Sequence, residues 1–75
     1  MFNQKIFQKR LEKLRQDKNL TLNNFGGIFG ISKQSTSRWE NGVNLPTINT
    51  LYEICENFNI SSDYLLGLSY NPNRK

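Results

Sequence analysis

Hydroxyl residues and glycines divide this sequence into short segments, and each segment spaces its apolar residues as one face of a helix would. Residues suited to a helix N-cap stand before three segments, at Thr21, Ser32 and Thr47. Glycines suited to a helix C-terminus stand at Gly30, Gly42 and Gly67. This pattern predicts a set of short packed helices and no strands.

The spacing predicts five helices. The first runs from Gln4 to Asp17 and the second, about eight residues long, follows Thr21. Their apolar positions are Phe7, Leu11 and Leu14 with Ile6 at the edge, and then Phe25, Ile28 and Phe29. The fourth helix uses Ile48, Leu51, Tyr52, Cys55 and Phe58, and a short fifth helix after Ser61 carries Tyr64, Leu65 and Leu66. These last three residues belong either to the core or to a dimer surface.

A chain of 75 residues supports one hydrophobic core. We assign residues 1–67 to a single domain. Residues 68–75 form a C-terminal tail with Pro72 and polar residues, which we expect to be frayed or to act as a linker.

The residue types that enzymes and metal sites need are scarce. Cys55 is the only cysteine and the chain has no histidine, so imidazole is absent as a base and as a ligand. We therefore predict no enzyme activity, no catalytic residue, no metal site and no cofactor. Cys55 is interpreted as a small buried packing residue, with a reactive thiol as the alternative.

The chain has no apolar run long enough to span a membrane. Its N-terminal segment interrupts the apolar residues with lysine and arginine, unlike a signal peptide. We therefore expect a cytoplasmic protein that does not associate with a membrane.

Charge is unevenly distributed along the chain. Residues 1–38 contain eight lysines and arginines against two acids, whereas residues 39–73 contain four acids and no base. Arg74 and Lys75 bring the formal charge to +4. Such segregation favours one face that meets a polyanion, although a solvated basic helix is the simpler reading of the first helix alone.

The third helix has an unusually polar outer side. If it starts at Lys33, Thr36 and Trp39 face inward. The outward residues are Lys33, Gln34, Ser37, Arg38 and Asn41, none of which is acidic or apolar. Lysine can donate to guanine, glutamine can pair with adenine, and serine can do either. Together with the helix and short glycine-containing turn before it, this segment has the properties of a DNA-binding helix-turn-helix.

From Arg10 to Gly67 the chain resembles the Cro and phage-repressor type of helix-turn-helix regulators, also described as xenobiotic-response-element-like. The matching pieces are "RLEKLR", "LT", "FGGIFGIS", "RWENG", Pro46, "LYEIC" and "FNISSDYLLG". The resemblance implies an all-α, compact five-helix, lambda-repressor-like domain in which helices 2 and 3 form the helix-turn-helix. It also implies binding to double-stranded operator DNA, commonly as a symmetric homodimer, to repress or activate transcription.

The resemblance further implies roles for individual residues. Candidates for base reading are Lys33, Gln34, Ser37 and Arg38, and candidates for phosphate contacts are Thr21, Ser32, Ser35, Asn41 and Asn44. Capping or ordinary surface polarity is the alternative for Ser32, Ser35, Asn41 and Asn44. Arg15 and Glu40 are expected to form a structural ion pair, and Phe29 and Trp39 to belong to the core.

Three residues depart from the family pattern. Leu22 replaces a glutamine that reaches a phosphate, so we expect that contact to be lost. Gly26 stands where alanine is usual, and we expect at least one of Gly26 and Gly27 to allow close helix approach. Thr36 replaces an aliphatic residue, and its hydroxyl is expected to bond back to the carbonyl of Ser32.

The leading hypothesis is a sequence-specific transcriptional regulator, most simply a repressor, of a bacterium or phage. The alternative is a protein-interaction module with the same fold, such as an antitoxin or anti-repressor. Such a module should present apolar or acidic side chains on the third helix.

Overall fold

The computed structural model describes residues 1–74; Lys75 of the predicted tail lies outside the described residues. Five α-helices follow one another along the chain: α1 (Gln4–Asp17), α2 (Leu22–Ile28), α3 (Lys33–Glu40), α4 (Ile48–Phe58) and α5 (Ser62–Leu66). Helix α1 packs against α3 and α5, α2 packs against α3, and α4 packs against α5. The prediction of an all-α fold is confirmed. Within residues 1–74, extended pairing is limited to one antiparallel bridge between Ile60 and Asn73.

Local hydrogen bonds explain where the helices begin. The side chains of Asn3, Thr21, Ser32, Thr47 and Ser61 each accept from a backbone N–H in the first turn of the helix that follows. These bonds satisfy amides that have no partner inside the helix. Helices α4 and α5 end at residues in the left-handed conformation, Asn59 and Gly67. The helix starts predicted after Thr21, Ser32 and Thr47 and the helix end predicted at Gly67 are thus confirmed.

The core lies where the five helices meet. Its buried apolar residues are Phe7, Leu11, Leu14, Phe25, Trp39, Ile54, Cys55, Ile60 and Leu65. Phe29 and Phe58 are partly buried against this core and form an aromatic cluster with Phe25, in which ring centroids lie 5.4–6.0 Å apart. Leu65 therefore belongs to the core, while Tyr64 and Leu66 are half-buried.

The predicted apolar face of α4 was partly wrong. Ile48 and Tyr52 are 83% and 60% exposed, whereas Ile54, absent from the predicted stripe, is fully buried. The inward positions 51, 54, 55 and 58 follow the i, i+3, i+4, i+7 spacing of a single helix face. Because Ile48 and Tyr52 are four residues apart, they share the face that turns away from the core.

In α2, Ile28 was also wrongly assigned to the apolar side, because it is 44% exposed. The helix ends at this residue, one earlier than predicted, and Phe29 serves as its C-cap. The side chain of Ile28 is therefore exposed and does not belong to the core.

The described part of the tail, residues 68–74, lies against α4 and the start of α5. Ser61 N–H donates to the carbonyl of Pro72 at 2.8 Å, and Arg74 donates to the carbonyl of Cys55 at 3.2 Å and to the carboxylate of Glu56 at 2.8 Å. Cys55 is buried beneath these contacts, as predicted, and burial raises the pKa of its thiol.

Among residues 1–74, no helix combines the length and the apolar character that crossing a membrane would require.

The approach of α2 to α3 depends on Gly26. A Cβ atom at this position would lie 2.5 Å from the carbonyl oxygen of Ile31 and 2.6 Å from the Thr36 hydroxyl. A Cβ at Gly27 would meet nothing within 4 Å. The expectation of close helix approach is therefore confirmed for Gly26, and the family's usual alanine would not fit here without a shift of backbone.

We predict opposite effects of alanine at these two neighbouring glycines. Gly26→Ala should lower the free energy of unfolding, because overpacking costs about 1–3 kcal/mol. Gly27→Ala should raise it by about 0.5–1 kcal/mol, because alanine loses less backbone entropy in a helix. Thermal unfolding of both variants beside the unmodified protein checks this pair. Equal stabilisation by the two alanines would show that α2 and α3 are not in tight contact through Gly26.

Candidate functional site

The outer side of α3 is a polar and basic surface. Lys33, Gln34 and Arg38 are exposed and Ser37 is half-buried, while Thr36 and Trp39 on the other side are buried. The inward and outward sides of the helix predicted from the sequence are confirmed. None of the four outward side chains contributes to the core, so their chemistry is free to serve a partner.

The N-terminal end of α3 is fixed by three hydroxyl groups. Ser32 Oγ accepts from the N–H of Ser35 at 3.1 Å and donates to Ser35 Oγ at 3.1 Å. Thr36 Oγ1 donates to the carbonyl of Ser32 at 3.1 Å, which confirms the predicted bond and satisfies a polar group at a fully buried position. Ser32 is thus a cap in this structure, and its side chain is also exposed.

The C-terminal end of α3 is held by side chains of α1. Gln8 Nε2 donates to the carbonyl of Glu40 at 3.2 Å, and Gln4 Nε2 donates to the carbonyl of Gly42 at 2.9 Å. These bonds satisfy carbonyl groups that a helix end leaves without partners. Neither glutamine was among the residues predicted from the sequence to hold the site. Their spacing of four residues on one face of α1 was the available signal.

Arg15 and Glu40 form a bidentate ion pair in the same region. Arg15 Nε lies 2.7 Å from Glu40 Oε2, and Arg15 Nη2 lies 3.1 Å from Glu40 Oε1. The side chains are only 15% and 6% exposed. Arg15 Nη1 also donates to the carbonyl of Leu20 at 2.9 Å, so one guanidinium joins α1, the α1–α2 connection and α3. The hydrogen bond to Glu40 raises the pKa of Arg15 further, and burial opposes it.

The two asparagines proposed for phosphate contacts differ in their surroundings. Asn41 Nδ2 donates to Ser37 Oγ at 3.1 Å, which links the end of α3 to its outer face. Asn44 is exposed in the following loop, and its backbone N–H approaches the carbonyl of Arg38 at 3.4 Å. Both residues therefore lie beside the last turn of α3.

Thr21 and Leu22 lie at the start of α2. Thr21 is exposed and accepts from the N–H of Asn24 at 3.1 Å. Leu22 shares a shallow concavity of about 350 Å³ with the four candidate base-reading residues, Lys33, Gln34, Ser37 and Arg38. The structure thus brings the four together on one surface and adds Leu22 to them. Thr21, Ser32, Ser35, Asn41 and Asn44 lie outside the lining of this concavity.

Two lysines of α1 lie beside the C-terminal end of α3. Lys5 and Lys9 are exposed and line a second open concavity that includes Asn41 and Gly42 at the end of α3. Glu12 and Glu40 line the same concavity, so this second surface carries charges of both signs.

A five-helix fold in which α2 and α3 meet across a short turn, with α3 presenting an unpacked polar face, defines a helix-turn-helix domain. A family profile described as helix-turn-helix domain matches residues 8–70, and the chain belongs to this family.

Curated relatives share the domain. Antitoxin PezA of Streptococcus pneumoniae is 37% identical over 59 residues, which cover 79% of this chain and 37% of that protein. The HTH-type transcriptional activator BcrR of Enterococcus faecalis is 33% identical over 61 residues, or 81% and 30% of the two chains. The uncharacterized HTH-type transcriptional regulator YobD of Bacillus subtilis is 30% identical over 70 residues, or 93% and 62%.

This chain spans less than two thirds of the length of each of these relatives. No solved structure matches it significantly.

We predict that Arg15→Ala destabilises the domain by about 1–3 kcal/mol, because Glu40 is left buried without its partner. Glu40→Ala should cost less, because the Arg15 guanidinium keeps its bond to Leu20. The double variant should lose less than the sum of the two single losses. Chemical or thermal unfolding of the four proteins gives the coupling free energy.

The matched control is Lys13→Ala, which removes the exposed Lys13–Asp17 pair of α1 and should change stability little. Strict additivity of the Arg15 and Glu40 effects would contradict a structural role for the pair.

Proposed function

We propose that this domain binds double-stranded operator DNA in a sequence-specific manner and regulates transcription in a bacterium or phage. The observation that carries the proposal is the outer face of α3, which is polar and basic, bears no packing, and belongs to a helix fixed at both ends. A helix of this kind can enter the major groove, which is about 12 Å wide. Repression is the simplest outcome, because a bound domain occupies a site that other proteins need. We place this activity in the cytoplasm.

Base reading is assigned to four side chains around the α3 concavity. Gln34 can form a bidentate pair with adenine, and Lys33 and Arg38 can donate to guanine O6 and N7. Ser37 can serve as donor or acceptor, although it already accepts from Asn41. The common concavity of these residues supports a shared role at base edges.

Phosphate contacts are assigned to the residues at the margins of this surface. Ser32 and Ser35 lie at the N-terminus of α3, where unpaired amides and the helix dipole favour an anion. Thr21, Asn41 and Asn44 supply further polar groups, and Lys5 and Lys9 supply positive charge beside Asn41. These contacts would position the domain without selecting a sequence.

The antitoxin or anti-repressor alternative has one observation in its favour, the similarity to the protein named antitoxin PezA. The outer face of α3 argues against an apolar protein interface there, because the side chains at its exposed positions are Lys33, Gln34 and Arg38. Selection of bound sites from a random DNA pool separates the two readings. Recovery of a defined site supports the regulator, and failure to recover any site supports the interaction module.

We predict that Gln34→Ala weakens binding to the selected operator by about 1–3 kcal/mol while barely changing affinity for random DNA, because it removes base contacts alone. Arg38→Ala, if Arg38 meets a phosphate, should weaken both and reduce the slope of log affinity against log salt concentration by about one. Titrations on operator and random duplexes at several salt concentrations separate the two effects. If Gln34→Ala leaves the ratio of operator affinity to random-DNA affinity unchanged, the proposal that α3 reads the base edges is wrong.

We also predict that two domains occupy a two-fold operator with half-sites about 34 Å apart, one helical turn. The reason is that a single recognition helix contacts too few base pairs to select a site in a genome. Analytical ultracentrifugation of the complex on the selected duplex measures the stoichiometry. Full affinity with one domain per duplex would contradict the homodimer.

A further inference from the structure

Leu22 is the single apolar side chain in the concavity that holds the base-reading residues. It is the first residue of α2, directly after the cap Thr21, so its position relative to α3 is set by the helix-turn-helix itself. The other lining residues are Lys33, Gln34, Ser37 and Arg38, which are all polar or charged. Leu22 cannot form the hydrogen bonds that these four side chains can form, so it needs an apolar group on the DNA as its partner.

The half-burial of Leu22 does not come from packing in the core. Within residues 1–74, the partly buried apolar side chains that pack against the core are Leu20, Phe29, Ile31, Leu51, Phe58 and Tyr64, and Leu22 is not among them. A lone surface leucine elsewhere would need no explanation. This one is half-buried and lines the same concavity as the polar side chains of α3.

The major groove offers one apolar group at its base edges. Guanine, cytosine and adenine present hydrogen-bond donors and acceptors there, and thymine adds the methyl group on C5. A leucine held beside four polar readers is therefore matched to a thymine methyl more closely than to any other part of a base edge. Glutamine at this position would instead suit a phosphate, because it can donate a hydrogen bond and leucine cannot.

We propose that Leu22 reads a thymine through its 5-methyl group and thereby fixes one base pair of each half-site. This inference rests on the proposed function and adds to it a specificity-determining residue outside α3. The contact replaces the phosphate contact that leucine cannot make, so the start of α2 selects sequence in addition to positioning the domain.

The test combines a change in the DNA with a change in the protein. Each thymine of one half-site of the selected operator is replaced singly by deoxyuridine, which removes the methyl group and leaves the pairing and the sugar unchanged. With the unmodified protein, one such replacement should weaken binding about fourfold. This is the loss expected when one methyl group is no longer buried, at roughly 0.8 kcal/mol per buried CH₂. Leu22→Ala should bind the thymine and deoxyuridine forms of that position equally.

Two further variants control for the possibility that Leu22→Ala loses binding because of a folding defect. Leu22→Met keeps an apolar side chain of similar volume and should retain sensitivity to the methyl group. Leu68→Ala changes a leucine that is 75% exposed and lies outside the concavity. This variant should also retain sensitivity to the thymine methyl group. The deoxyuridine series with the unmodified protein involves no protein change at all.

The possible failures are distinguishable. An operator in which no thymine methyl affects binding overturns the assignment of Leu22, and so does a Leu22→Ala protein that keeps the full sensitivity. If Leu22→Ala weakens every duplex equally and the unmodified protein is indifferent to deoxyuridine, Leu22 contacts the sugar–phosphate backbone and the assignment is again wrong. Recovery of no operator from the random pool overturns the proposed function itself.

Discussion

The attachment of α1 to the end of α3 is the constraint on which the rest of the structure depends. The Arg15 guanidinium donates three hydrogen bonds at this junction, two to the Glu40 carboxylate and one to the Leu20 carbonyl. Gln8 bonds the carbonyl of Glu40 on the same helix end. A planar guanidinium in a bidentate pair fixes direction as well as distance. The orientation of α3 is therefore set by groups that lie away from its exposed face.

This arrangement separates the packing residues of α3 from its exposed polar residues within eight residues of helix. Thr36 and Trp39 carry the packing of α3, and the Thr36 hydroxyl donates to the carbonyl of the N-cap residue Ser32. Lys33, Gln34 and Arg38 are exposed and take no part in this packing, so substitutions there should cost little folding stability. The gathering of polar residues in "SKQSTSR" is explained by this division, since the helix draws its stability from α1 and α2 and not from its own outer side chains.

Features governed by neighbouring residues could be predicted from the sequence, and features governed by distant ones mostly could not. The caps at Thr21, Ser32 and Thr47 depend on bonds within three residues. The inward side of α4 depends on where other helices lie, so the period alone admitted Ile48 and omitted Ile54. Likewise, no local rule distinguishes Gly26 from Gly27, because only the path of Ile31 and Thr36 decides which glycine is needed.

The candidate site shows the same limit. The pairing of Arg15 with Glu40 was expected from a family resemblance, since a separation of 25 residues leaves no periodic signal. The outward row of α3 followed from helix geometry. The position of Leu22 in the same concavity as this row could not be predicted from helix geometry, because the position depends on the angle between α2 and α3.

The electrostatics of the outer face of α3 follow from the same junction. Glu40 is the one acid of α3, and it is both buried and paired with Arg15, so the exposed face of the helix carries Lys33 and Arg38 without an opposing charge. The other acids of residues 39–73 are Glu53 and Glu56 on α4 and Asp63 on α5.

The molecule measures 28 × 24 × 22 Å, and charges more than about 8 Å from a phosphate are largely screened at physiological salt. A phosphate in contact with the exposed face of α3 therefore interacts chiefly with the charges on that face, those of Lys33 and Arg38. The ion pair that fixes the helix thus also neutralises the one carboxylate of α3 itself.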